Sequence, residues 1–300
     1  LRQKGLPLLP SVRGWRKPMS FGSGAILGNL INHLHFSIPD LVLGKMSGPH
    51  NVGLYSRANG LVSIFQQIAG PTINYNALPY ISANHHANVP LGPILTKATS
   101  YLTGFALPAL AVTAVFAEEI IRVLYGAQWV EAAPLVAVLC ASYGVRIGYS
   151  LCPQALMAIG RPYLSAVYSG VGVLTRVVLI YFLGARDIMT FALALLIADL
   201  LAAPVPALLM SRYLHYSVRE SVGAHLPSLL VAIACGVAAM GIRLALPASV
   251  PELLKLVVVG LVMVPCWIGA VFLLRHPLRS ELPPLLGKVL PRALVDSWAK

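Results

Sequence analysis

Long apolar runs, separated by short polar or Gly/Pro-containing connections, make up most of this sequence. Eight runs reach or approach the ~20 apolar residues that span a bilayer. They are continuous in Leu, Val and Ala and do not alternate over about ten residues, so they predict helices and not barrel strands. The predicted spans are 21–43, 52–81, 98–116, 134–151, 163–183, 188–210, 226–246 and 253–274.

The first two runs differ from the others because polar residues recur along them at three- and four-residue steps, which places those residues on one helix face. Lipid cannot satisfy amide and hydroxyl groups, so these faces are expected to line a water-filled cavity. The cavity candidates on the two runs are Asn29, His33, Asp40, Asn59, Ser63, Gln67 and Asn74. Asp40 also fits the membrane edge, beside Gly44 and Lys45.

Composition places the chain in a membrane: 57% of its residues are hydrophobic and 11% are charged, and the mean hydropathy is +0.77. The net charge of +12 does not indicate nucleic acid, because most Lys and Arg fall on one side of alternating spans. By the positive-inside rule, both ends of the chain are predicted to be cytoplasmic. On that side lie Arg2, Lys4, Arg13, Arg16, Lys17, Lys97, Arg161, Arg212, Arg219, Arg275, Arg279, Lys288, Arg292 and Lys300.

Four charged positions within the predicted spans have their own interpretations. Arg176 and Asp199 lie on consecutive antiparallel spans at similar depth, so they are candidates for a structural ion pair. Arg146 either snorkels to the cytoplasmic headgroups or faces the cavity. Arg57, near the outer end of the second span, is either an interfacial charge or a cavity residue.

No residue pattern indicates chemistry. The four cysteines lack CxxC spacing and are interpreted as packing residues, so neither a disulfide framework nor a metal site is predicted. The sequence has no Gly-rich phosphate loop, GxSxG or HExxH motif. We therefore expect a transporter that is not an enzyme and has no cofactor.

Four segments in order resemble one family of membrane transporters. They are DLVLGKMSGPHNVGLYSRANGL (40–61), ALPYIS (77–82), VLYGAQWVEAAPLVAVL (123–139) and ALMAIGRPYL (155–164). The series resembles the polysaccharide-exporting flippases of the multidrug/oligosaccharidyl-lipid/polysaccharide exporter superfamily, of the colanic-acid-exporter type. Relatives tend to carry a basic residue at the position of Gly60; here the nearest one is Arg57, one turn earlier.

The resemblance implies an all-α protein whose eight spans correspond to the C-terminal six-helix lobe of a two-lobed flippase plus two extra helices, with an N-terminal lobe missing. It divides the chain into a basic cytoplasmic segment (1–20), the lobe (21–210), a cytoplasmic loop (211–225), the extra helices (226–274) and a basic tail (275–300).

The implied function is transport of an undecaprenyl-diphosphate-linked glycan across the bacterial inner membrane by alternating access, with Arg57 and Arg146 opposing the diphosphate. Two alternatives stay open. One is an ion-coupled drug or metabolite exporter of the same superfamily. The other is a membrane-embedded polysaccharide polymerase or acyltransferase.

Overall fold

The computed structural model describes residues 15–72, 76–183, 187–247 and 249–283. Within these ranges the chain is built of α-helices and short 3₁₀ turns, without a strand. The helices are α1 (Arg16–Thr72), α2 (Leu78–His86), α3 (Leu91–Val115), α4 (Ala117–Tyr125), α5 (Ala133–Ile147), α6 (Cys152–Ala158), α7 (Pro162–Leu183), α8 (Ile188–Ala202), α9 (Pro204–Leu214), α10 (Val218–Ala245) and α11 (Glu252–Leu273). Two 3₁₀ helices span Ala127–Ala132 and Pro277–Ser280.

Helix α1 is divided into two arms by a sharp break at Gly48. Its backbone is non-helical there, with φ 81° and ψ 172°, a conformation that a residue with a Cβ rarely adopts. The arms, 16–47 and 49–72, correspond to the first two predicted spans and meet at the Gly/Pro turn between them. Within the predicted span 52–81, the structure describes helix α1 up to Thr72 and helix α2 from Leu78.

Six further stretches are long and apolar enough to cross a membrane: α3, Ala127–Ala158, α7, Ile188–Leu214, α10 and α11. The two arms of α1 are not among these six, and counting them as well makes the number of helices roughly consistent with the eight predicted spans. Large apolar side chains point outward from them; Phe182, Leu244 and Leu273 are 74–84% exposed. In water this surface would be unfavourable, whereas acyl chains cover it at no cost. The chain is a multi-pass membrane protein.

Packing divides the helices into a main bundle and an attached pair. Helix α7 lies along α1, and α5 packs between α3 and α8. Helix α10 lies along α3, and α11 packs on α10 and α4. The connection before α10 is shorter than the expected loop 211–225, because a capping box starts α10 at Val218. In it, the Ser217 N–H donates to Glu220 Oε2 (2.6 Å), and the Glu220 N–H donates to Ser217 Oγ (3.2 Å).

The segment after α11 folds back onto α3 and α10 through His276, which is fully buried. Its Nδ1 accepts the Leu278 N–H at 3.1 Å, so the ring proton lies on Nε2, which donates to Ser228 Oγ at 2.9 Å. Burial lowers the pKa of His276 below its ordinary value. Farther along, Glu281 pairs with Lys97 of α3 at 2.9 Å. We call residues 274–283 the return segment.

The cysteines are all free: Cys140, Cys152 and Cys235 are buried, and Cys266 is exposed. This agrees with their interpretation as packing residues. No group of three or more His, Cys, Asp or Glu within the described ranges could hold a metal ion.

Candidate functional site

A cavity of about 750 Å³ lies between α1 and the helices from α5 to α9. Its walls carry amides, imidazoles and phenols inside an otherwise apolar bundle. Six of the polar lining residues are Asn29, Asn32, His33, Gln66, Gln154 and Tyr168. Apolar side chains such as Leu78, Ile147 and Met157 make up much of the remaining lining, so the cavity is suited to an occupant with both polar and apolar parts.

Small residues on α7 allow it to pack closely against α1 at one wall of the cavity. Ser165, Ser169 and Gly172 recur at four- and three-residue steps and all line the space. A Cβ at Gly172 would come within 3.1 Å of the His35 ring. A Cβ at Gly28 would lie 3.6 Å from the Ala166 backbone. These small side chains let α7 lie close to α1 and leave the cavity volume beside them open.

A buried charge cluster forms the base of the cavity, with Asp199 of α8 at its centre. Arg176 of α7 donates to both carboxylate oxygens, from Nε at 3.1 Å and from Nη2 at 2.8 and 2.9 Å. Its Nη1 donates to the His35 carbonyl at 3.0 Å. Ser142 of α5 donates to the same carboxylate. Arg176 and Asp199, the predicted ion pair, are each only 4% exposed.

Arg146 of α5 is the second guanidinium of this cluster and faces the cavity. Its Nε lies 3.5 Å from Asp199 Oδ2, and its side chain is 21% exposed, compared with 5% for Arg176. It also lies over the Tyr143 ring, 5.1 Å from the centroid. Two guanidinium groups share one carboxylate, so the cluster carries a formal charge of +1, and its more exposed cation lines the cavity.

A second, smaller space of about 40 Å³ adjoins the cluster on the side of the second arm of α1. Asn59, Ser63 and Gln66 line it together with Arg146 and Arg176. This volume is large enough for water, and the polar lining offers the hydrogen-bond partners that a buried water needs. Gln66 and Arg146 border both spaces.

The predicted cavity residues divide into three groups. Asn29, His33 and Arg146 line the large cavity, and Asn59 and Ser63 line the small one. Asp40 and Gln67 line neither of these spaces: both are exposed, and Gln67 Nε2 donates to Ser63 Oγ at 3.2 Å. Asn74 lies outside the described residues.

Arg57 occupies a different place from the one expected of a cavity residue. Its guanidinium lies 5.2 Å from the Tyr125 ring centroid and 5.0 Å from that of Trp129, on the α4 side of α1. Gly53 and Gly60, about one turn to either side, allow these rings to approach. A Cβ at Gly53 would come within 2.9 Å of Trp129, and one at Gly60 within 3.2 Å of the Tyr125 hydroxyl. The geometry is that of a cation–π site.

Several lining residues were not among the predicted ones. Tyr149, Gln154 and Tyr168 line the cavity but occur singly in apolar runs, where a polar residue indicates no particular face. Only Tyr168 has a readable signal, because it adjoins the stripe of small residues on α7.

Comparison with known proteins adds independent information. A family described as "Polysaccharide biosynthesis protein" matches residues 6–134. The teichuronic acid biosynthesis protein TuaB of Bacillus subtilis (strain 168) is 25% identical over 239 residues, which are 78% of this chain and 48% of TuaB. The succinoglycan biosynthesis transport protein ExoT of Rhizobium meliloti (strain 1021) is 26% identical over 141 residues, 47% of this chain and 28% of ExoT. These findings support a polysaccharide exporter family.

The fold of this chain is also similar to that of a solved flippase. The lipid II flippase MurJ, in an inward closed conformation, aligns with a TM-score of 0.65 and 13% identity, over 85% of this chain and 52% of MurJ. The chain spans about half the length of MurJ and about half the length of TuaB. The match to TuaB covers most of this chain. The resemblance read from the sequence is thereby confirmed for the family and the fold.

The family match and the charge cluster cover different parts of the cavity. Residues 6–134 include the whole of α1, and hence the wall that carries Asn29 and His33. Arg146, Arg176 and Asp199 lie beyond that match. The polar wall therefore lies in the part of the chain that the family model describes, and the base of the cavity does not.

Proposed function

We propose that this chain forms the substrate cavity of an exporter that moves a lipid-diphosphate-linked oligosaccharide across the bacterial inner membrane by alternating access, without chemistry of its own. The observation that carries the proposal is the 750 Å³ cavity, which groups amide, imidazole and phenol side chains and has the cationic cluster at its base, inside an apolar bundle. Both ends of the chain are placed at the cytoplasmic face, where most of its Lys and Arg would lie.

The lining suits the two polar parts of such a substrate. Side-chain amides of Asn29, Asn32 and Gln154 can donate to and accept from sugar hydroxyls. A guanidinium binds phosphate oxygens through two parallel N–H bonds and keeps its charge at any physiological pH. Arg146 is the group placed for this, because it borders both spaces while Arg176 is held by Asp199 and the His35 carbonyl. The cavity volume lies within the roughly 300–1,000 Å³ of typical ligand sites.

The decisive experiment substitutes Arg146 in the complete exporter. A hydrogen bond to a charged group is worth about 1.5–3 kcal/mol, and roughly 1.4 kcal/mol is a factor of ten. Arg146→Ala should therefore lower glycan export at least about tenfold at unchanged protein level, and Arg146→Lys should retain part of it. Arg57→Ala is the matched control, since it also removes a guanidinium from a span but one that lies against aromatic rings.

Normal glycan export by Arg146→Ala would contradict the proposal. If that variant also lost drug efflux, the result would favour the ion-coupled drug exporter. Cys labelling gives an independent check: with Cys266 replaced by Ser, Cys at Asn29 or His33 should react with a water-soluble thiol reagent. Cys at Leu174, which is 63% exposed and expected to face lipid, should not.

A further inference from the structure

Two arginines flank one tyrosine where α6 and α9 end together. The Arg161 guanidinium lies 4.6 Å from the centroid of the Tyr213 ring, and that of Arg212 lies 5.8 Å from it. Arg161 follows the turn at Gly160, whose φ of +76° ends α6 and sets the direction of the chain into α7. Arg212 is in the last turn of α9. We call these three residues the Tyr213 clamp.

The clamp carries two positive charges without a compensating acid. Within the described part of the chain, neither guanidinium has a carboxylate oxygen within 4 Å, whereas Arg122, Arg146, Arg176 and Arg243 each have one. Both side chains are exposed. The first turn of α7, beside Arg161, has no acidic residue, and the positive end of a helix disfavours a cation there.

This arrangement differs from that of Arg57 on α1. There, one guanidinium lies near two aromatic rings, and no like charge is among its partners. In the clamp, two guanidinium groups converge on one ring, and like charges held close together repel. Stacking fixes both planar forks in place, which reduces the entropy lost when they bind an anion. An oxyanion that contacts both guanidinium groups at the edge of the ring would lower this repulsion.

The clamp lies a few residues along the chain from two residues that line the cavity. Helices α6 and α9 pack against each other, and each contributes a lining residue, Met157 and Pro206. Arg161 is four residues past Met157. Arg212 is six residues past Pro206, or ~9 Å along a helix at 1.5 Å per residue. Both arginines belong to the set that the charge distribution places on the cytoplasmic side.

We propose that the Tyr213 clamp is a docking site for the diphosphate of the lipid-linked substrate, at the membrane surface beside the cavity and distinct from Arg146. This inference rests on the proposed function for its substrate class. A diphosphate offers oxygens to two guanidinium groups at once. Tyr is enriched at the headgroup level of a bilayer. The anchor phosphates would be held here before the glycan enters the cavity.

The test measures binding of undecaprenyl diphosphate, which has no glycan, to the complete exporter in nanodiscs of zwitterionic lipid. Arg161→Ala and Arg212→Ala should each raise Kd about tenfold, since each removes one charged hydrogen-bond partner. Arg161→Lys should recover part of the affinity. Arg219→Ala, which removes an exposed arginine two residues into α10 on the same side, is the matched control and should leave Kd unchanged.

Competition distinguishes the possible sources of phosphate. Inorganic pyrophosphate should compete in millimolar excess, and phosphatidylglycerol added to the nanodiscs should compete weakly. If phosphatidylglycerol displaces the probe as well as pyrophosphate does, the clamp is a general anionic-lipid contact and the proposal is wrong. An unchanged Kd in both alanine variants would also overturn it. Arg146→Ala separates the two proposals, because failed export there bears on the cavity alone, while binding at the clamp should persist.

Discussion

Asp199→Ala is the substitution to which this fold should be most sensitive. Asp199 is 4% exposed and is the carboxylate that both Arg176 and Arg146 contact. Arg176 makes four hydrogen bonds, and three of them end on Asp199. Without the carboxylate, a guanidinium buried at mid-bundle would retain only the His35 carbonyl, and Arg146 would repel it at close range.

The expected magnitude follows from this geometry. Removing one partner of a buried pair costs about 3–5 kcal/mol, because it leaves an uncompensated charge, and the second arginine places Asp199→Ala at the upper end. Arg176→Ala should cost less, since Asp199 would keep Arg146 at 3.5 Å and the Ser142 hydroxyl. At roughly 2–4 °C per kcal/mol for a chain of this size, the losses correspond to about 6–20 °C in melting temperature.

The assay is thermal unfolding of the protein in detergent, followed by size-exclusion chromatography with fluorescence detection. The double variant Arg176→Met with Asp199→Leu should regain part of the loss, because apolar residues of similar volume replace a buried pair well. Asp187→Ala, which removes the exposed N-cap of the same helix, is the control and should have a much smaller effect. A wild-type melting temperature for Asp199→Ala, or a larger loss for Arg176→Ala, would refute the reasoning.

Three further predictions concern other parts of the chain. Gly104→Ala should release the return segment, because its Cβ would lie 2.5 Å from the His276 ring, whereas Gly241→Ala has nothing within 4 Å; limited proteolysis after α11 distinguishes them. Docking lowers the pKa of His276, so docking is full above about pH 6.5 and weakens below it; the amide protection factors in that segment, which correct for the intrinsic pH dependence of exchange, should fall as the pH is lowered from 7.5 to 5.5. The pKa of Glu281 is lowered by its bonds to α3, so Glu281 stays ionised over this range. Arg57→Ala should lower stability by only about 0.5–1 kcal/mol in the same melting assay.

Those elements of the fold that depend on hydropathy and on local breaks could be predicted from the sequence. Six of the eight apolar runs correspond to stretches long and apolar enough to cross a membrane, and the Gly/Pro turn near residue 48 is where α1 breaks. What could not be predicted is where a span is interrupted internally. Residues 188–210 read as one run, yet the helix restarts at Pro204. The capping box at Ser217 starts α10 several residues earlier than hydropathy alone indicates.

The candidate site was only partly predictable, because helical periodicity gives the relative angles of residues on one helix but not which neighbour each face meets. The polar arc on the second arm of α1 illustrates this limit. Asn59 and Ser63 border the small space beside the charge cluster, whereas Gln67, one turn on, is exposed. Arg57 lies on the same arm but meets aromatic rings of α4 and the following turn. Those partners are about seventy residues away in the chain, so no local pattern could reveal them.

The charge cluster explains how a cationic cavity base can exist inside an apolar bundle at all. A single guanidinium there would pay its full desolvation cost, and a pair without an acid would add repulsion. Asp199 neutralises one of two arginines and is itself satisfied by Ser142, so the net charge left to the cavity is one. That charge resides on Arg146, the more exposed of the two. A phosphate that reaches Arg146 would meet a guanidinium whose desolvation cost is already offset by its neighbours in the charge cluster. The same logic explains why the second pair of arginines, at Tyr213, lies at the surface: without an acid between them, they are tolerated only where water or a phosphate can reach them.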